Sequence, residues 1–199
     1  MRRTVDYYFA TMSPWAYLGH ERFVQIAGRC DADVRVRPMD LGQVFPVSGG
    51  LPLGKRAPQR QAYRLAELRR FSEWLGRPLN LHPAFFPVAG DPSARLIAVV
   101  AEHDGPDAAL RLTGAVLTAV WARDMDIADA ATLGALLAEC GLDPGRLAQS
   151  QTDAAKAVAD AHTQAAIDAG VFGAPSYVID GEIFWGQDRL DFVERRLLA

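Results

Sequence analysis

The chain opens with an apolar and aromatic run, Val5 to Phe9, of the kind that forms a short buried strand. Ser13-Pro14 follows, with serine favoured as a helix N-cap and proline at the first helical position. Tyr17, Leu18, Phe23 and Ile26 then recur at helical spacing, and Gly28 is placed to end the helix. Val34 and Val36 alternate with Arg35 and Arg37, which predicts a second strand stopped at Pro38. A strand–helix–strand opening favours a parallel pair. From 39 to 60 the chain holds Gly42, Pro46, Gly49, Gly50, Pro52, Gly54 and Pro58, so most of it is expected to be an irregular loop, a lid or pocket wall.

Helical periodicity then dominates. Residues 59–75 place Ala62, Leu65, Leu68, Phe71 and Leu75 on one side. Further helices are predicted from Asp91, over 107–123, over 130–140, from Asp143-Pro144, and over 152–169. Near the end the period returns to two. Residues 176–179 and 182–185 read as strands joined by the hairpin turn Asp180-Gly181, and 188–198 as a closing amphipathic helix. The order βαβ, helices, ββα predicts one α/β domain over 1–199. Its sheet would come from about 1–40 and 152–199, with an all-helical insertion at about 59–150.

Composition narrows the function. The chain has 199 residues, 50% hydrophobic and 23% charged, with net charge −3, which suits an ordinary globular domain and makes no electrostatic case for nucleic acid. Arg56, Arg60, Arg64, Arg69 and Arg70 interleave with Glu67 and Glu73 and read as a solvated helix face. No run of about twenty apolar residues predicts a membrane span, and Asp6 argues against a signal peptide. Cys30 and Cys140 form no CxxC pair and read as buried, inert thiols in a cytoplasmic protein. The four histidines lack metal-ligand spacing, so no metal is expected. The four tryptophans are expected in the core, with Trp15 and Trp185 flanking a pocket.

Three features carry candidate chemistry. Ser13 stands where a strand gives way to a helix N-terminus, a place that favours an anion and lowers the pKa of a thiol held there. Pro175 precedes a strand. Residue preference alone favours a trans bond, whereas a cis bond would present the backbone of Ala174 to an extended peptide. Gly186-Gln187-Asp188 lies between the last strand and the last helix, where Asp188 either caps the helix or joins Gln187 in holding the amine end of a peptide-like ligand.

The opening Tyr7-Tyr8-Phe9-Ala10-Thr11-Met12-Ser13-Pro14-Trp15-Ala16-Tyr17-Leu18-Gly19, the segment Pro38-Met39-Asp40-Leu41-Gly42, and the tail from Gly170 to Leu190 together resemble the 2-hydroxychromene-2-carboxylate isomerase family. That family sits in the DsbA-like branch of the thioredoxin superfamily, near the kappa-class glutathione transferases. The resemblance implies a thioredoxin-like fold with glutathione as cofactor. Ser13 would hold its thiolate, and Ala174 would pair with its backbone beside a cis Pro175. Trp185, Gly186, Gln187 and Asp188 would surround its γ-glutamyl end. Ser13 and Ala16 replace the cysteine pair of the redox relatives, so disulfide exchange is not expected. The implied substrate is a small aromatic electrophile, and family habit suggests a homodimer. The family's asparagine is replaced near Gly54-Lys55-Arg56, where Lys55 or Arg56 would either meet a substrate carboxylate or remain solvated. A kappa-like transferase and a non-catalytic glutathione- or peptide-binding module are the competing readings.

Overall fold

The computed structural model describes residues 2–199; Met1, inside the sequence-derived domain bounds, lies outside them. Strand β1 (Thr4–Phe9) leads into helix α1 (Pro14–Arg29) and strand β2 (Asp33–Pro38). Seven helices follow: α2 (Leu41–Ser48), α3 (Pro58–Leu75), α4 (Asp91–His103), α5 (Pro106–Arg123), α6 (Ala130–Glu139), α7 (Gly145–Ser150) and α8 (Asp153–Asp168). The hairpin β3 (Ser176–Ile179) and β4 (Glu182–Trp185) and the final helix α9 (Leu190–Leu198) complete the described fold.

The sheet order is β2-β1-β3-β4. β1 pairs with β2 in parallel and with β3 antiparallel, so strands from both ends of the chain meet at its centre. Side-chain alternation splits this sheet cleanly. Val5, Tyr7, Phe9, Tyr177 and Ile179 enter the main core, where the helical segment contributes Leu112, Leu117 and Trp121. Tyr8, Ala10 and Val178 face the other way, against Val44 of α2 and Ala166 of α8. In the hairpin turn, Asp180 and Gly181 both have positive φ, at 51° and 81°, the backbone that the Asp-Gly pair favours.

Several sequence expectations need correction. The glycine- and proline-rich loop contains α2. The Asp40 carboxylate caps it by accepting from the Gly42 N–H at 2.7 Å, Gly49 closes it at φ 76°, and buried Val44 anchors it. Its internal Pro46 is tolerated because tertiary packing outweighs propensity in so short an element. Of the predicted α3 stripe only Leu68 is fully buried, and Ala62 is exposed. Trp121 is a core residue, but Trp74 and Trp185 are 71% and 52% exposed, since α3 and β4 lie at the edge of the packing. Cys30 and Cys140 are half-buried rather than sealed. Burial still pushes both thiols up, away from the reactive thiolate.

Candidate active site at the end of the first strand

Ser13 is the N-cap of α1. Its backbone is extended (φ −80°, ψ 122°) and its Oγ accepts from the Ala16 N–H at 3.2 Å. The Ser13 carbonyl accepts from Tyr17, and its own N–H donates to Ala10 at 2.9 Å. With those bonds made, the Ser13 hydroxyl proton has no acceptor among the described residues. Pro14 has no N–H, so Trp15 supplies the one free backbone N–H of this first turn. The turn carries no acidic side chain, and Ser13 is only 6% exposed. It thus presents two neutral donors and a helix dipole with nothing negative beside them.

The ladders bring the other sequence-predicted residues here. Tyr8 pairs with Ser176, and continuing that antiparallel register by two residues sets Ala10 level with Ala174; both lie in one apolar cluster. The Ala174-Pro175 bond is cis, as the resemblance implied and residue preference did not. Among the described residues Ala174 joins none of the turn, loop or cap hydrogen bonds. The Pro175 carbonyl accepts from the Gly186 N–H at 2.9 Å, tying the start of β3 to the residue after β4. Trp185, opposite Ser176, meets Phe172 edge to face at 5.0 Å.

Gln187 and Asp188 divide. Gln187 is buried, and its Oε1 accepts from Arg22 Nη1 at 3.3 Å. Gly19 is the reason α1 can approach so closely: a Cβ there would stand 2.6 Å from the Gln187 Cβ. Asp188 is exposed and pairs with Arg189 at 2.7 Å. It caps no helix, because Gly186, at φ 103°, occupies the cap of the short 3-10 turn that precedes α9. Asp188 thus lies on the surface in its pair with Arg189, while Gln187 braces the turn against α1.

Trp15 turns to α3 and meets Phe71 edge-on at 6.0 Å. Lys55 is exposed, and Arg56 Nε donates to the Leu51 carbonyl at 2.8 Å. No hydrogen bond, ion pair or aromatic contact among the described residues joins either cation to the Ser13 turn. Sequence reasoning predicted a helix from Asp91 but not that its start would lie at this end. Ser93 Oγ, in the first turn of α4, donates to Thr11 Oγ1 at 2.9 Å, and Thr11 Oγ1 donates to the Gly90 carbonyl at 3.2 Å. A threonine two residues before the N-cap carries no sequence signal for so distant a partner.

Behind the site, His20 is buried between the Tyr7 hydroxyl and the Leu110 carbonyl. A carbonyl only accepts, so Nε2 carries the proton and Nδ1 accepts from Tyr7. Burial pushes His20 down to about 4, so the ring is neutral near pH 7.

A family model for the DSBA-like thioredoxin domain matches residues 4–198. The 2-hydroxychromene-2-carboxylate isomerase of Sphingobium xenophagum is 31% identical over 205 residues, spanning 100% of both chains. Human glutathione S-transferase kappa 1 is 26% identical, over 98% of this chain and 91% of the relative. A solved structure of a 2-hydroxychromene-2-carboxylate isomerase superposes with a TM-score of 0.80 at 27% identity, covering 96% of this chain and 93% of that one. With the fold and the whole chain matched in this way, the protein belongs to the DsbA-like thioredoxin family and groups there with the 2-hydroxychromene-2-carboxylate isomerases.

Proposed function

We propose that this isomerase uses glutathione, and that it isomerises an aromatic substrate of the 2-hydroxychromene-2-carboxylate kind in aromatic compound catabolism. The observation that carries the reading is the unspent hydroxyl proton of Ser13, buried at a helix start beside the free Trp15 N–H. An unsatisfied donor in that position suits a thiolate, and the unpaired Ala174 backbone suits an extended tripeptide. Glutathione bound there would supply a sulfur nucleophile whose reversible addition to a conjugated double bond permits rotation.

The chain's own residues do the rest. Ser13 donates to the sulfur and, with the α1 dipole, favours its anion, each pKa unit being about 1.4 kcal/mol. Ala174 aligns the peptide, and Asp188 and the Gly186 turn receive its charged amine. The half-buried Trp15 indole, held by Phe71, walls the acceptor side. The reading carries with it a cytoplasmic home and a homodimer, the latter open to light scattering. Among the described residues no helix is long and apolar enough to cross a membrane.

Ultraviolet titration of bound glutathione tests the assignment. Wild type should show the thiolate band at lower pH than Ser13→Ala; identical curves would remove Ser13 from the role. Turnover of the chromene carboxylate against a standard electrophile separates the isomerase from a kappa-like transferase.

A further inference from the structure

Arginines that this fold takes partly out of water are almost all paired. Arg22 meets Asp191, Arg37 meets Asp6, Arg95 meets Asp91, Arg146 meets Asp104 and Arg196 meets Glu182. That is the expected pattern, because a desolvated charge without a partner is costly. Arg64 breaks it. Its guanidinium lies 5.3 Å from the Phe86 ring centre and 5.8 Å from that of Trp121, and makes no hydrogen bond or ion pair among the described residues. Its nitrogens are absent from the sealed, unpartnered polar atoms of the described residues, so they keep some contact with solvent. Arg56, one of its nearest charged neighbours, also has no carboxylate partner and spends only its Nε on Leu51.

The position connects to the site. Arg64, Leu68 and Phe71 share the inner face of α3, and Phe71 touches Trp15, two residues after Ser13. Arg64 lies over the Phe86 ring, and four residues later Gly90 accepts from Thr11. Both routes lead from the guanidinium to the Ser13 turn, over a span set by two turns of helix or four residues of chain.

Resting on the reading of the Ser13 end as a ligand site, we infer that Arg64, backed by Arg56, forms a carboxylate subsite: a planar fork of donors held beside the Phe86 and Trp121 rings. The carboxylate comes from the unsaturated acceptor or from the glycyl end of the tripeptide, two sources with one recognition chemistry. Fork and carboxylate match through paired N–H donors, which a lysine does not reproduce. The two rings beside the guanidinium narrow its freedom in advance, so less side-chain entropy is lost on binding.

The test is isothermal titration of the full chain with trans-cinnamate, with neutral cinnamamide and, separately, with glutathione, for wild type, Arg64→Gln and Arg64→Lys. The expected result is a loss of about tenfold or more in cinnamate affinity for Arg64→Gln. Arg64→Lys should recover part of it, and cinnamamide and glutathione should be unchanged. A loss confined to glutathione supports the subsite and assigns it to the glycyl carboxylate. Affinities within twofold for every ligand, in variants that melt with wild type, would overturn it. So would a parallel loss of all ligands with a lowered melting temperature, which makes Arg64 a packing residue. Absence of glutathione binding to wild type, alongside the cinnamate effect, would sink the glutathione reading and leave the subsite standing.

Discussion

The Ser13 turn and the Arg64 face are both poised for anions, but by opposite means. At Ser13 the donors are a hydroxyl, a backbone N–H and a helix dipole, all formally neutral. At Arg64 the donor is a full charge steadied by aromatic rings. In the proposed reaction the contrast has a chemical reason. A reacting sulfur must be favoured as an anion yet remain free to attack, and neutral dipoles stabilise it without locking it into an ion pair. A carboxylate that only positions its molecule has no such conflict, and a guanidinium fork holds it best.

The comparison breaks hardest at Ser13. Replacing it with alanine should lower kcat by roughly 10² to 10³-fold, as for loss of one preorganised donor, while loss of the α1 cap should cost about 1 kcal/mol, or roughly 2–4 °C in melting temperature. Steady-state rates and thermal melts together check this; a tenfold effect or less would place the thiolate elsewhere.

Acidification comes next, and it acts on the sheet and helices together through His20. The unfolded ring titrates near 6.5 and the folded one near 4, so the unfolded state binds the extra proton between them. Stability is therefore full above about pH 6.5 and falls as pH drops toward 4, by up to about 3 kcal/mol from this ring alone. Burial pushes half-buried His162 down to about 4 as well, so it acts in the same direction. Urea midpoints measured across this range should decline, and His20→Phe should flatten the slope.

A smaller effect is expected from Gly19→Val, which drives a side chain into Gln187. About 2 kcal/mol of stability should be lost. Glutathione affinity should fall with it, because the Gly186–Asp188 turn rests on that contact. Smallest is Asp188→Asn. Its exposed pair with Arg189 contributes little, so stability should stay within about 0.5 kcal/mol. A few-fold weaker glutathione affinity, read by titration, would sharpen the role of the ligand end against the Arg64 face.

The two regions also differ in how far the sequence reveals them. Ser13-Pro14, Asp180-Gly181 and the alternation of Val34 and Val36 are local signals, and the structure places a cap, a turn and a strand there. The union of residues 13, 174 and 186 followed from the order of strands, because β1 pairs with strands from both ends of the chain. Arg64 could not be read in that way. Its place depends on Phe86 and Trp121, which come from a loop and another helix. One hint was present: Arg64 precedes Leu68 by four residues, in the register of the apolar stripe, where a solvated cation does not belong. Likewise α2 hides among glycines and prolines, because Asp40 and Val44 hold it through contacts that periodicity does not record.

The antiparallel join of β1 to β3 also carries a temporal consequence. A ribosome releases Ser13 long before Pro175, and until the last strands emerge β1 has only β2 beside it. A nascent chain halted before residue 175 would hold every arginine of the α3 face and a complete first helix, yet have no cradle for a peptide. Competence to bind arrives at the end of synthesis, when the closing hairpin slides in beside a strand that was made first.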